Sequence, residues 1–304
     1  MIPQMASIHD VPPDAFNYVW DNSVEPALEI ESGESVQLHV RDASDEQIHK
    51  GSGVEDVAKL DFSHVNPVSG PVFVKGAQPG DVLEVELLAF EAKDWGWTAI
   101  IPGFGLLADE FPDPWLRISE VDAAAGKVRF GEKVTLPHRP FPGTLGVAMP
   151  EPGEHSIVPP SRFGGNMDVK HLRTGVSLFL PVGVEGVLFS LGDTHAAQGD
   201  GEVCGTAIEA PVTAQVTLDV RDDMALDWPI ARTEEAWLTF GFDERLDGAA
   251  QIAVDSMIAL MQRELDLGPG DALALASVGV DVRVTQIVNG LVGVHAVLRD
   301  DAFR

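Results

Sequence analysis

The run Gly192-Asp193-Thr194-His195-Ala196-Ala197-Gln198-Gly199-Asp200-Gly201-Glu202 sets three acids and one imidazole among three glycines. Asp193 and His195 are two residues apart, so on extended backbone their side chains leave the same face. A carboxylate and a neutral imidazole on one face are two ligands for a divalent cation, with the others to come from elsewhere in the chain. Glu202 and Glu209 add carboxylates nearby in sequence, and the glycines let backbone approach a ligand closely. In so acidic a chain the same loop would equally serve as a solvated turn, so spacing alone leaves both uses open.

A second cluster is Gly164-Gly165-Asn166-Met167-Asp168. Asn166 can donate to a substrate carbonyl, and Asp168 can bind a cation or orient a base. The competing use is an Asx-type turn leading to a strand near Val176. Trp20, beside Asp21, is a third candidate, and Trp95, Trp97 and Phe104 with Pro102-Gly103 could line a pocket mouth. Core packing is the alternative for all of these aromatics. Cys204 is the single cysteine, which rules out an internal disulfide and any CxxC zinc site. In an apolar strand its thiolate is disfavoured, which weakens it as a nucleophile. GxSxG, GxGxxG and P-loop patterns do not occur, so a serine elbow and nucleotide cofactors have no support.

The elements that must position these residues read mainly as strands. Ala27–Glu31 and Ser35–Val40 nearly alternate apolar and polar residues, as do Val82–Leu87 and Ala214–Val220, the pattern of half-buried strands. Lys127–Phe130 and Val134–Leu136 predict a hairpin. Ser177–Val182 and Gly186–Leu191 are continuous apolar runs, which suit strands buried on both faces. With 30 Gly and 21 Pro cutting the chain into short pieces, a sandwich or barrel is expected. One helix interrupts the pattern, over about Leu246–Leu265, where Ala249, Ala253, Met257, Leu260 and Met261 recur at three- and four-residue steps. Asp247 is its expected N-cap, and Gly268-Pro269-Gly270 stops it. A shorter helix from Asp271 and two closing strands, Val280–Ile287 and Val292–Leu298, complete the chain. The expected organisation is a β-rich body over 1–220 carrying the site and an α+β segment over 221–304.

The formal charge is -28, and only 7 of the 20 basic residues are Lys. Such a surface repels phosphate backbones, which excludes nucleic acid as the expected partner. Screening by concentrated salt would relieve its self-repulsion, so a salt-adapted origin is expected. Nothing approaches the roughly 20 apolar residues of a membrane span. The start MIPQMASIHDVPPD lacks a basic segment followed by an apolar run, so no leader and a cytoplasmic location are expected.

Val65-Asn66-Pro67-Val68-Ser69-Gly70-Pro71, Val74-Lys75-Gly76-Ala77-Gln78-Pro79-Gly80-Asp81-Val82-Leu83, the Asn166-Asp168 block and the Asp193-Glu202 block stand in an order and at spacings that resemble the acetamidase/formamidase family. The C-terminal helix and Ala276-Ser277-Val278-Gly279-Val280 extend the resemblance over nearly the whole chain. It implies a mainly β fold, a jelly-roll-like sandwich plus a small β-barrel with a C-terminal α+β segment. It also implies hydrolysis of short amides to carboxylate and ammonia, with some relatives acting on a lactam and some carrying a divalent metal. From what amide hydrolysis needs chemically, Asp168, Asp193 and His195 are the expected metal ligands, for zinc or, as the alternative, calcium. Glu202 is the proton-transferring residue, Asn166 the holder of the carbonyl oxygen, and Trp20 and Cys204 the substrate contacts. A homodimer is the expected assembly. Asn66 stands where some relatives carry His. Two other readings stay open: a metal-independent hydrolase of another small C–N bond using Glu202 and Cys204, and a non-catalytic β-sandwich binding protein.

Overall fold

Alternating sequence becomes two large sheets facing each other across one apolar layer. A computed structural model describes residues 8–302. Residues 1–7, part of the start on which the leader expectation rests, lie outside the described residues. The first sheet has nine strands, in the order Ile8–Asp10, Glu34–Val40, Val212–Arg221, Val82–Ala92, Ser177–Pro181, Ile230–Arg232, Ala236–Asp243, Leu291–Arg299 and Val280–Asn289. All neighbours are antiparallel except the first pair. Strands from beyond residue 220 thus extend the same sheet as Glu34–Val40.

The second sheet runs Val134–Pro137, Lys127–Phe130, Trp115–Asp122, Trp95–Ile100, Ile208–Glu209, Phe189–Ala197, Phe141–Gly146 and Gly164–Asn166. Val68–Val74 also pairs with Phe189–Ala197 and carries two short strands, Phe16–Asn17 and Leu28–Ile30. Val36, Leu38, Leu83, Val85, Leu178, Val216 and Phe240 from the first sheet meet Val72, Leu145, Phe189 and Leu191 from the second in one buried cluster. Each such side chain contributes about 1.5–3 kcal/mol when removed from water, so the interface between the sheets dominates the stability. Both sheets are open among the described residues, so the expected small barrel is not formed.

Val212–Arg221 alternates buried and half-buried positions, as its sequence dictates. The helix spans Leu246–Leu265 and buries Ala249, Ala253, Met257, Leu260 and Met261 against Val294, Ala296 and Leu298. Gly241 lets it lie close, because a Cβ there would overlap the helix backbone at Ala249 and Ala253. Two details correct the sequence expectation. Arg245 is the N-cap, while Asp247 lies in the first turn, bonded to Arg245. The apolar strand begins at Phe189 rather than Gly186 and runs on to Ala197, because Val187 and Leu188 take left-handed φ values of 57° and 52° in a turn. Asp193 and His195 therefore lie within a strand, not in the loop after one.

Candidate active site

The strand Phe189–Ala197 is hydrogen-bonded on both edges. His195 stands opposite Phe141 on one side and Glu209 on the other. The ring of Phe141 meets the imidazole edge to face at 5.1 Å. Asp193 has a left-handed φ of 49°, and the residue facing it across the sheet is Gly143. A Cβ on Gly143 would overlap both Asp168 and His195, so glycine there opens the room in which these groups gather. Gly164–Asn166 pairs with Phe141–Gly146, setting Asn166 opposite Thr144, and the chain then turns through Asp168 at φ 50°. Two sequence-distant segments thus converge on one point.

His195 Nε2 is 3.4 Å from Asp193 Oδ1 and 3.1 Å from Glu209 Oε2, and Nδ1 is 3.8 Å from Asp168 Oδ1. His195 is fully buried, and Asp168, Asp193, Glu202 and Glu209 are nearly so. Donor atoms of Asp168, Asp193 and His195 lie within 4.8 Å of one another, as do those of His195, Glu202 and Glu209. Despite this closeness, both imidazole nitrogens, Asp168 Oδ1 and Glu209 Oε2 have no aligned hydrogen-bond partner. Buried polar atoms are ordinarily satisfied. Unpartnered carboxylate and imidazole donors converging on one point are the donor set of a divalent cation site, so the residues present fit the metal that the resemblance implies.

The remaining oxygens are held by the scaffold. Asn289 Nδ2 donates to Asp168 Oδ2 and, at 3.3 Å, to the Asn166 carbonyl. Glu209 Oε1 accepts from the Ala207 amide at 2.7 Å. Thr144 Oγ1 donates to Asn166 Oδ1 at 3.0 Å, which turns the Asn166 amide hydrogens away from Thr144. The electrostatics follow from burial. Burial, then the charge of Asp193, pushes the Asp168 carboxyl up to about 6. Burial raises Glu209 to about 7 and holds Glu202 well above the usual carboxylate range, with Asp168 adding to it. Burial opposes the charged form of His195, but Glu209 and Asp193 outweigh it and raise its pKa well above the ordinary value. Acids packed so closely resist full ionisation unless a cation joins them.

Above this floor lies a cavity of about 300 Å³. Asn166, Asp168, Asp193, Glu202 and Glu209 line its polar end, and Phe62, Trp97, Ile101 and Phe104 its apolar walls. Trp95 does not line it but packs against the apolar cluster that holds Trp97. Asn66 also lines the cavity. Of the nine non-glycine residues with positive φ among those described, Asn66, Asp168, Asp193 and Glu202 belong to it. Strained backbone concentrates where side chains must be aimed.

Of the residues singled out from sequence, Asn166, Asp168, Asp193, His195 and Glu202 are brought together. Trp20 and Cys204 are not among those lining this cavity. Trp20 is buried with Val68 and Ile157 and borders a separate small void, held there by the pairing of Val19–Trp20 with His155–Ser156. Cys204 lines a different cavity and donates its thiol to the Thr206 carbonyl at 3.3 Å. Gly143, Thr144 and Asn289 escaped the sequence reading. Thr144 and Asn289 reach the site only through strand register and through the hairpin Val280–Asn289/Leu291–Arg299, and neither leaves a local signal.

Fold and site define a β-sandwich protein whose buried carboxylates and imidazole, a set that could hold a metal ion, gather beneath a small apolar pocket. The chain belongs to the acetamidase/formamidase family, whose profile matches residues 5–156 and 151–290. The structure is similar to an acetamidase from Bacillus halodurans, at 30% identity, covering 95% of this chain and 97% of that one, with a TM-score of 0.90. It is similar also to an acetamidase from Yersinia enterocolitica, at 30% identity, 99% and 95% coverage and a TM-score of 0.91. An acetamidase from Mycolicibacterium smegmatis is 27% identical over 62% of this chain and 62% of its own length. The chain spans about 60% of the length of the curated relatives it matches.

Proposed function

We propose that this protein hydrolyses short aliphatic amides to the carboxylate and ammonia. The observation that carries the reading is the set of buried, unpartnered donor atoms on Asp168 and Glu209 at the polar end of a cavity of about 300 Å³, with those of His195 packed beside them. Asp168, Asp193 and His195, joined by Glu209, would hold a divalent cation. The imidazole favours zinc over calcium, which prefers oxygen ligands alone. Bound there, the cation supplies Lewis acidity towards the amide carbonyl and towards water.

The chain's own residues do the rest. Asn166, its Oδ1 tied to Thr144, offers amide hydrogens to the substrate carbonyl oxygen. Glu202, raised by burial, is suited to take a proton from water and pass it to the departing nitrogen, without which an amine is a poor leaving group. Phe62, Trp97, Ile101 and Phe104 suit a short acyl chain and exclude bulk water. The alternative of a cysteine nucleophile is the weaker one, since Cys204 does not line the cavity of Asp168 and Asp193 and donates its thiol to the Thr206 carbonyl. The intact acid–imidazole centre argues against a non-catalytic binding protein.

The reading also includes a small amide as the partner, with no nucleic acid, and a homodimer in the cytoplasm of a salt-adapted cell. The surface charge supports the exclusion of nucleic acid and the salt adaptation. Among the described residues no helix is long and apolar enough to cross a membrane. Ammonia release from formamide, acetamide and propionamide, before and after dialysis against a strong chelator, tests the function. Turnover that disappears on chelation and returns with zinc is expected. Absence of release from every amide rejects the amidase, and full activity after chelation rejects the role of the cation. Glu202→Gln should remove turnover while the protein still binds its metal.

A further inference from the structure

Behind the central cavity lies a second set of ligand-type side chains that the amide reaction does not use. His295, on Leu291–Arg299, is 0% exposed. Its Nδ1 is 2.8 Å from the Thr285 hydroxyl on the adjacent strand, and its Nε2 has no partner. His171, on the turn after Asp168, brings its ring to 5.1 Å from that of His295, and its Nε2 is likewise buried without a partner. Asp200 completes the group, with donor atoms of all three residues within 4.8 Å of one another. Both imidazoles are kept neutral by burial, His295 down to about 4, so their ring lone pairs are free of protons at neutral pH.

We propose that His171, Asp200 and His295 form a second divalent transition-metal site, separate from the centre built around His195. Two imidazoles and one carboxylate suit zinc, cobalt or nickel rather than calcium or magnesium. The Thr285 hydroxyl fixes the His295 ring, as the outer partners of metal-bound histidines do. Access is open, because His171 and Asp200 line a cavity of about 480 Å³ with Lys170, Arg173 and Cys204. Lys170 occupies the carboxylate in the metal's stead, its Nζ 2.9 Å from Asp200. A cation entering the site would exchange with that ammonium.

The site has a mechanical link to the first. Asp200 precedes Glu202 by two residues, and Gly201 between them donates to the Thr285 carbonyl at 2.8 Å and accepts from the Ile287 amide at 3.1 Å. Metal on His171, Asp200 and His295 would brace the turn that presents Glu202 against the hairpin that carries His295. This inference does not depend on the amide reaction.

The test titrates the metal-stripped full-length protein with cobalt chloride, followed by calorimetry and visible absorption. His171→Ala should bind one equivalent fewer than the unaltered protein. Lys170→Met should keep that equivalent and bind it more tightly, by about tenfold, as loss of a neighbouring ammonium charge dictates. A purely structural role for the two histidines leaves the Lys170→Met affinity unchanged, and that result overturns the site. So does an unchanged count in His171→Ala, or uptake of inorganic phosphate in place of cobalt. Should His171→Ala fail to fold by circular dichroism, the Lys170→Met titration decides alone.

Discussion

Glu209 Oε2 stands 3.1 Å from His195 Nε2 across two paired strands, yet the two groups do not align as a hydrogen bond. Strand register sets that closeness, and the missing alignment leaves both atoms free for a third party. Glu209→Gln keeps the shape and the Ala207 amide contact but removes an anionic donor. Metal affinity should fall about 10- to 100-fold and ammonia release with it, while the circular dichroism spectrum stays unchanged. Metal analysis after gel filtration, paired with the amide assay, checks this. Undiminished affinity would remove Glu209 from the ligand set.

Gly143 predicts a different kind of failure. Its strand, Phe141–Gly146, is buried along its whole length, and an added methyl would overlap Asp168, His195 and the Asp193 backbone. Gly143→Ala should destabilise the protein by about 1–3 kcal/mol through overpacking and weaken metal binding as well. Chemical denaturation and metal content are the measurements. A variant as stable and as metal-loaded as the parent would show that the floor of the site can relax.

Tyr18 gives a clean pH probe, being the single tyrosine. Burial, then the hydrogen bond it donates to Asp45 at 2.7 Å, raises its pKa to about 12. The neutral phenol is therefore favoured in the folded state. The stability it contributes is fully present below the unfolded value of 10 and is lost as pH rises through about 12. Tyrosinate absorbance should titrate near the higher value, and Asp45→Asn should bring it part of the way down. A native midpoint at the ordinary value would contradict the contact.

The charge of -28 predicts a strong response to salt. Repulsion among exposed carboxylates is screened within about 3 Å at 1 M ionic strength, so Tm should rise steadily as potassium chloride is added. A Tm indifferent to salt, or falling with it, would speak against the salt-adapted origin.

Much of the site was legible because its residues come in two short blocks. Gly164–Asp168 and Gly192–Glu202 keep polar groups and glycines together in an otherwise apolar stretch, and the folded chain superimposes them. The helix Leu246–Leu265 was readable for a similar reason, since the spacing of its buried residues is local. Asn289 was not, because its meeting with Asp168 depends on where the last hairpin docks. Trp20 and Cys204 lie outside the cavity of Asp168 and Asp193, and residue type gave no sign of it, as an indole and a thiol serve packing as readily as binding. The start of the strand at Phe189 was hidden because Val187 and Leu188, strand formers by propensity, are forced left-handed by the turn before it. The small barrel failed to appear because closure is a property of the edges of whole sheets, which no local pattern encodes.

The doubly bonded strand Phe189–Ala197 has a diagnostic consequence for anyone handling this protein. Its ladder to neighbours on either side ties Asp193 and His195 to the interior of the second sheet. Thermal opening at that floor is therefore expected to accompany opening of the sheet itself. On the proposed function, a preparation that is folded but inert points to the turn bearing Glu202 or to its complement of metal, and adding back the cation tells the two apart.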